Sequence, residues 1–266
     1  MNIARLRFLA ACAGLLAAAS MCDKAAAQDM LQYLDLNSPA MTQAEMTRAD
    51  VEALLSASGG RPVDLSGKRL SGLDLSGLDL TRANLRSARL NNANLSGAKL
   101  DGAILDLAWA LKADFTGASL AHASLFSTQM MGAKLDRANL TGARIVANLT
   151  GASLRDANLS GANCSPDLKN QSMGLMRAVL KSANLTGANL SGSNLSRVDL
   201  AFANLQGADL SDANLSDAEA SGVDFRGAKL TGSDLSGLDV TSARIDSTGA
   251  DTFFARSANL KRAFKE

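Results

Sequence analysis

A large aliphatic or aromatic side chain returns at every fifth position along most of this chain, as in Leu85, Leu90, Leu95, Leu100 and Phe115, and again in Leu185, Leu190, Leu205 and Phe225. Two residues before most of these centres stands a small residue, such as Ala83, Ala93 or Ala183. Of 35 such central positions 26 are Leu, and 25 of the paired positions are Ala, so the pattern dictates the fold rather than decorating it. A period of five matches neither an amphipathic helix at 3.6 nor a strand at 2. If each five-residue unit forms one side of a coil, the centre and the small residue can both point inward while the other three positions face water. Units too short to bury their own apolar groups must stack, so the expected fold class is an all-β solenoid. Aromatic residues are only 4% of the chain, which fits an interior of small aliphatics.

The outward positions carry turn chemistry. Seventeen of the 22 glycines fall two residues after a centre, among them Gly67, Gly97 and Gly187; these are corners, where glycine adopts positive φ without steric cost. Arg82, Arg137, Asp156 and Asp212 hold the same position, which predicts that a second turn type, not demanding glycine, coexists with the first. Asn and Asp just before the centre, as in Asn84, Asn94, Asp114 and Asn139, are placed to bond the local backbone and to stack as polar ladders. The register slips at Ile145 to Leu149, four residues apart, and from Cys164 to Leu180, where sixteen residues replace fifteen and restore the phase. Residues 165–172, with Pro166, read as an excursion from the coil, either a tolerated insertion or a recognition loop.

Segments such as Ala93-Asn94-Leu95-Ser96-Gly97 and Ala183-Asn184-Leu185-Thr186-Gly187 resemble the pentapeptide-repeat family, over roughly residues 63–247. The resemblance implies a right-handed quadrilateral parallel β-helix with four pentapeptides to the coil. About nine coils at the ~4.8 Å spacing of hydrogen-bonded strands would then make a rod about 43 Å long.

The ends have their own signals. Arg5 and Arg7 precede an apolar run from Phe8 to Ser20, too short to span a bilayer, and Ala25-Ala26-Ala27 supplies small residues at a cleavage site. Residues 1–27 are therefore expected to be a signal peptide, with acylation of Cys22 as the alternative, and the protein to be periplasmic or secreted in a bacterium. Without the leader the chain holds 24 basic and 25 acidic residues, a net charge of −1, and Cys164 is left as a single thiol with no disulfide partner. In residues 28–62, Thr42 with Glu45 and Thr47 with Asp50 both resemble capping boxes, and Gly59-Gly60 is a stop, so a short helix over Thr42–Ala57 should cap the first coil. In residues 248–266, Phe253, Phe254, Leu260 and Phe264 supply a lid for the last coil, or alternatively a homodimer surface; a lid is needed in either case.

No catalytic constellation stands out. His122, the sole histidine, falls at a corner with no nucleophile paired to it, the aspartates sit at repeat positions, and Cys164 is a centre residue expected to be buried and inert. No metal or cofactor site is expected. One pointer to binding remains: Leu107, Trp109 and Leu111 occupy outward positions, and Met131 should stand one coil above Leu111, making a candidate partner surface. Alternatively, the small centre residue Ala110 lets the coil distort and Trp109 tuck inward. Arg69 and Arg89, with Lys68 and Arg86 nearby, read as a solvated face.

Two function classes follow. The first is a non-catalytic scaffold or protein-binding module of the bacterial envelope, its partner another protein. The second, implied by resemblance to family members that imitate DNA and bind topoisomerase, is disfavoured by the leader and the near-neutral charge, since imitating a polyanion needs a dense negative surface. Neither nucleic-acid binding nor a membrane span in the mature chain is expected.

Overall fold

The computed structural model describes residues 35–166, 176–248 and 250–266. The expected signal peptide, residues 1–27, and residues 167–172 of the expected excursion lie outside the described residues.

Four parallel ladders run the length of the rod, each joining a residue to the one twenty positions on: Asp64 to Asn84 to Ile104, Arg69 to Arg89 to Trp109, Asp74 to Asn94 to Asp114, and Asp79 to Lys99 to Ser119. Twenty residues per coil is four pentapeptides, so the coil has four sides. The centres and the alanines fill the interior: Leu85, Leu90, Leu95, Leu100, Phe115, Leu185, Leu190, Leu205 and Phe225 are all buried, with Ala83, Ala93 and Ala183 beside them.

The backbone accounting explains the remaining residues of the motif. Within one side, the centre donates to the coil above, Leu65 N–H to Asn84 O at 2.8 Å, and Asn84 N–H returns to Val63 O at 2.9 Å. The turn closes on itself, Ala83 N–H to Leu80 O at 2.9 Å, and the corner N–H also reaches the coil above, Gly67 to Arg86 O at 2.8 Å. One N–H per side, just after the centre, is left over. The preceding Asn or Asp side chain accepts it: Asn94 Oδ1 takes Ser96 N–H at 3.0 Å and Asp114 Oδ1 takes Thr116 N–H at 2.9 Å. These bonds hold Asp64, Asp74 and Asp209 below the usual carboxylate range, through the side chain and backbone of Ser66, Ser76 and Ser211 respectively.

Four sides lack an Asn or Asp before the centre yet keep this bond. Where Trp109, Ser119, Ser124 or Ser153 stands there, the acceptor is the side chain of the coil below: Asn91 for Leu111 N–H, Asp101 for Ala121, Asp106 for Phe126 and Asp136 for Arg155.

The expectation of two turn types is not met. Arg82, Arg137, Asp156 and Asp212 sit at φ 57°, 58°, 55° and 57°, in the same left-handed region as Gly97 at 63°. A coil this tight needs that backbone at every such corner, so the non-glycine residues accept its cost, about 1–2 kcal/mol each in the limit. Ser127 has a second penalty: at φ 55° its hydroxyl is buried with no hydrogen-bond partner. Ser127→Gly should therefore raise stability by about 1–2 kcal/mol, and Ser87→Gly, at φ 57° without the orphaned hydroxyl, by less. Urea midpoints at constant m would show the difference.

Where one residue is missing between Ile145 and Leu149, the corner vanishes. Strand β1, Ser124–Gln129, pairs in parallel with β2, Arg144–Asn148, and between the pairs Phe126–Val146 and Gln129–Asn148 two residues of β1, Ser127 and Thr128, oppose one of β2, Ala147. Val146 and Ala147 are both buried there, and Ala147 joins the interior. The second slip differs from the arithmetic of the sequence. The ladder steps from Asn148 to Val179 and from Asn163 to Asn194, thirty-one positions instead of twenty. The stretch from Cys164 to Leu180 is thus one pentapeptide side enlarged by eleven residues, which counting modulo five could not separate from three regular sides.

At the first coil, α1 spans Pro39–Thr42 and α2 spans Arg48–Ser58. Thr47 and Asp50 form the capping box of α2, and Gly59 ends it in the left-handed region. The other box-like pair does not form: Thr42 closes α1, and Glu45 pairs instead with Lys68 at 3.4 Å and Arg69 at 3.3 Å. Val51 is the α2 side chain fully buried against the coil.

At the last coil the ladder continues past the motif. Asp239 pairs with Ala258, and β3, Arg244–Ile245, pairs in parallel with β4, Phe264–Lys265. Between them lie α3, Ala250–Phe253, and a 3-10 turn, Leu260–Arg262. Phe254 is buried edge-on against Phe225, while Phe253 and Phe264 are exposed.

Candidate functional site

On most sides of the rod the outward positions repeat Asn, Asp, Ser and Thr. The side carrying Arg69, Arg89, Trp109, Gln129, Asn148, Val179, Asp199, Glu219 and Asp239 in one ladder breaks that monotony. Its N-terminal part is basic and its C-terminal part acidic. Arg177 reaches across the latter, with Nη1 and Nη2 each 3.0 Å from a Glu219 oxygen and Nη2 3.9 Å from Asp199.

The structure brings the four candidate residues together in its middle. Leu111 and Met131 occupy consecutive coils, Lys112 N–H donating to Met131 O at 3.0 Å, and both are half-buried. Trp109 is half-buried between Arg89 and Gln129, and Leu107 stands at the adjoining corner with 48% of its surface exposed and φ 61°. Trp109 does not tuck into the core: Ala108 and Ala110 remain fully buried, and the Trp109 backbone keeps its ladder bonds to Ala88 O at 2.9 Å and from Leu90 N–H at 2.6 Å. Phe126, half-buried, accepts Leu107 N–H at 2.8 Å and carries the apolar surface around the corner. The sequence offered the signal for Phe126, an aromatic residue one place after a centre, just as it did for Trp109.

Other residues of chemical interest lie apart. His122 is exposed at a corner, its ring over Gly142 where a Cβ would stand. Cys164 is fully buried, and loss of hydration pushes its thiol up to about 12, opposed by nearby Arg144, so no thiolate is present near neutral pH. Phe202, 63% exposed at the corner beyond Ala201, lies over Gly222 several coils from Trp109. Among the described residues no group of three His, Cys, Asp or Glu could hold a metal ion, and no helix is long and apolar enough to cross a membrane.

The family described as Pentapeptide repeats matches residues 69–106, 112–145, 147–165, 175–212 and 208–245. The chain belongs to the pentapeptide-repeat family. Among solved structures of that family it is similar to HetL, involved in heterocyst differentiation regulation in the cyanobacterium Nostoc sp. Strain PCC 7120, at 31% identity over 75% of this chain and 97% of that one, with a TM-score of 0.41. A pentapeptide repeat protein of the Arabidopsis thaliana thylakoid lumen matches at 28% identity over 56% of this chain and 72% of its own, with a TM-score of 0.21. QnrB1, a plasmid-mediated fluoroquinolone resistance protein, matches at 19% identity over 69% and 95%, with a TM-score of 0.45. No curated protein matches the chain.

Proposed function

We propose that this pentapeptide-repeat protein is a non-catalytic scaffold, wound in the right-handed sense of its family, that binds another protein through the face centred on Trp109. The observation that carries the proposal is the placement of Leu107, Trp109, Leu111 and Met131 on one side, at outward positions that elsewhere hold small polar residues. Aromatic and large aliphatic groups clustered at the surface are what desolvated contact with a partner requires. The rigid ladder beneath them holds these side chains in fixed register, so docking orders little additional backbone. The basic start and apolar run of residues 5–20 support an encounter in the bacterial envelope or beyond it. The DNA-imitating alternative gains no support from charge, with 27 basic and 26 acidic residues in the whole chain.

A photoreactive residue at position 107 tests the proposal in intact cells. One discrete crosslinked species is expected, and Trp109→Ala should remove it, as loss of a central aromatic contact costs about 2 kcal/mol or more of binding. The melting temperature of Trp109→Ala should stay within about 2 °C of the parent, because the residue is outside the core. Equal crosslinking in Trp109→Ala would exclude this face.

A further inference from the structure

The coil that carries Asp64, Arg69, Asp74 and Asp79 is the first of the four ladders, so the backbone groups on its outer edge need partners other than a preceding coil. Two sides receive donors from the N-terminal cap. Glu45 N–H donates to Arg69 O at 2.9 Å, and Arg48 Nη1 donates to Asp74 O at 3.1 Å and to Ser76 O at 3.2 Å. The side at Asp79 receives none. One coil on, the same positions are fully used: Leu80 N–H donates to Lys99 O at 2.7 Å, Arg82 N–H to Asp101 O at 2.8 Å, and Lys99 N–H to Leu78 O at 2.9 Å. Among the described residues nothing donates to Asp79 O or Thr81 O, and nothing accepts Asp79 N–H. These three groups match one extended strand, which offers two N–H groups and a carbonyl at alternate residues.

Asp64 O and Ser66 O, on the side where the coil begins, are bare as well. The side at Asp79 also faces a cavity of about 390 Å³, lined by Leu55, Arg61, Val63 and Arg82 among others; ligand sites run from about 300 to 1,000 Å³. Polar groups of the cap beside it are engaged locally, Ser58 Oγ donating to Leu55 O at 2.7 Å and Arg61 Nε to Ser58 O at 3.1 Å. Charge selects the occupant. Arg61 and Arg82 are exposed, and among the described residues neither has a carboxylate within ion-pairing distance. The Asp79 carboxylate is already occupied, accepting Thr81 N–H at 3.1 Å and lying 3.6 Å from Lys99 Nζ.

We infer that this edge and its cavity bind an extended acidic segment of another protein, which adds to the first coil as a strand. The segment pairs alternate backbone groups with Asp79 and Thr81, sets an apolar side chain against Leu55 and Val63, and brings carboxylates to Arg61 and Arg82. The site lies at the end of the rod, on a different side from Trp109, and does not depend on the face proposed above.

Fluorescence anisotropy of a labelled probe, acetyl-Ala-Glu-Leu-Glu-Gly-amide, tests the inference. The parent protein should bind it, and Arg61→Gln/Arg82→Gly should bind it about tenfold more weakly. Arg82 sits at φ 57°, where glycine removes strain, so the loss is not one of folding. Arg137→Gly takes the same charge from a corner at φ 58° on another side and should bind as the parent does. Methylating the probe at the Leu and Gly nitrogens removes the donors for Asp79 O and Thr81 O and should also weaken binding about tenfold. A methylated probe that binds as tightly as the unmethylated one would overturn strand addition. Equal binding by the parent and Arg61→Gln/Arg82→Gly, or no binding by the parent, would overturn the site. A sedimentation coefficient that rises with concentration in the parent but not in Arg61→Gln/Arg82→Gly would assign the edge to a second copy and overturn the inference as well.

Discussion

Leu95→Asp should divide the rod. Leu95 is fully buried, and its N–H reaches Asp114 O in the next coil at 2.6 Å. The substitution forfeits about 2 kcal/mol of apolar burial and leaves a carboxylate without a partner in an interior of leucine and alanine, which costs several kcal/mol more. In a compact domain such a loss is shared among many contacts; in a solenoid each coil touches only its neighbours, so the defect uncouples the two sides. The N-terminal piece retains α2 as its cap, while the remainder is left with an open end at the damaged coil. Thermal unfolding followed by circular dichroism should lose its single steep transition and begin about 8–20 °C earlier, the shift that about 4–5 kcal/mol gives a domain of this size. Leu95→Ile, which keeps volume, should cost less than about 1.5 kcal/mol. A melting temperature for Leu95→Asp equal to that of the parent would mean that the side chain faces water.

The inward assignment of these leucines was legible because burial acts on every coil alike, and a repeated demand leaves a repeated residue. The corner geometry was less legible. Glycine announces positive φ, but Arg82 and Asp156 reach the same angle without glycine, because neighbouring coils dictate the backbone and the side chain merely tolerates it. The enlarged side after Cys164 was hidden for another reason: residues outside the coil carry no phase, so a step of sixteen fits either three sides or one side with an insertion. The helix start was ambiguous for a local reason. Thr42 and Thr47 each precede an acid by three residues, and the choice between them falls to Glu45, which is held by Lys68 and Arg69 and is unavailable for capping.

The candidate site was legible only as an exception to a rule. Trp109 and Leu111 stand where the repeat expects small polar residues, and the twenty-residue coil implied by the resemblance placed Met131 beside them. What the motif concealed was compensation between coils. Trp109 cannot accept the spare N–H of its own side, so Asn91, twenty residues before Leu111, accepts it and also holds Met41. Asp101, Asp106 and Asp136 play the same part beneath Ser119, Ser124 and Ser153, each pairing with a side that lacks its own acceptor. These substitutions look unrelated in a linear sequence, yet with a twenty-residue coil each becomes half of a pair.

Phe254→Ala should open the C-terminal end of the rod. The last coils have no further coil to cover them, and Phe254 takes that place, its ring centroid 5.7 Å from that of Phe225 at an interplanar angle of 61°. Beside the pair lies a cavity of about 140 Å³ lined by Leu230, Ile245 and Phe253 among others, so packing there has little to spare. Removing a buried phenyl ring costs about 3–5 kcal/mol, including the edge-to-face contact. At the end of a solenoid that cost is bounded by the free energy of the terminal coils, which can fray without unfolding the rest. The expected result is therefore selective: early loss of the Asp239–Ala258 and Arg244–Phe264 pairings, trypsin cleavage after Arg256 and Arg262, and a main transition that moves little. Phe253→Ala should change stability by no more than about 0.5–1 kcal/mol, since that residue is already 47% exposed. If the two variants were cut equally fast, Phe254 would not be what closes the rod, and the ion pairs of Glu266 with Arg226 at 2.8 Å and Arg244 at 3.1 Å would have to hold the end alone.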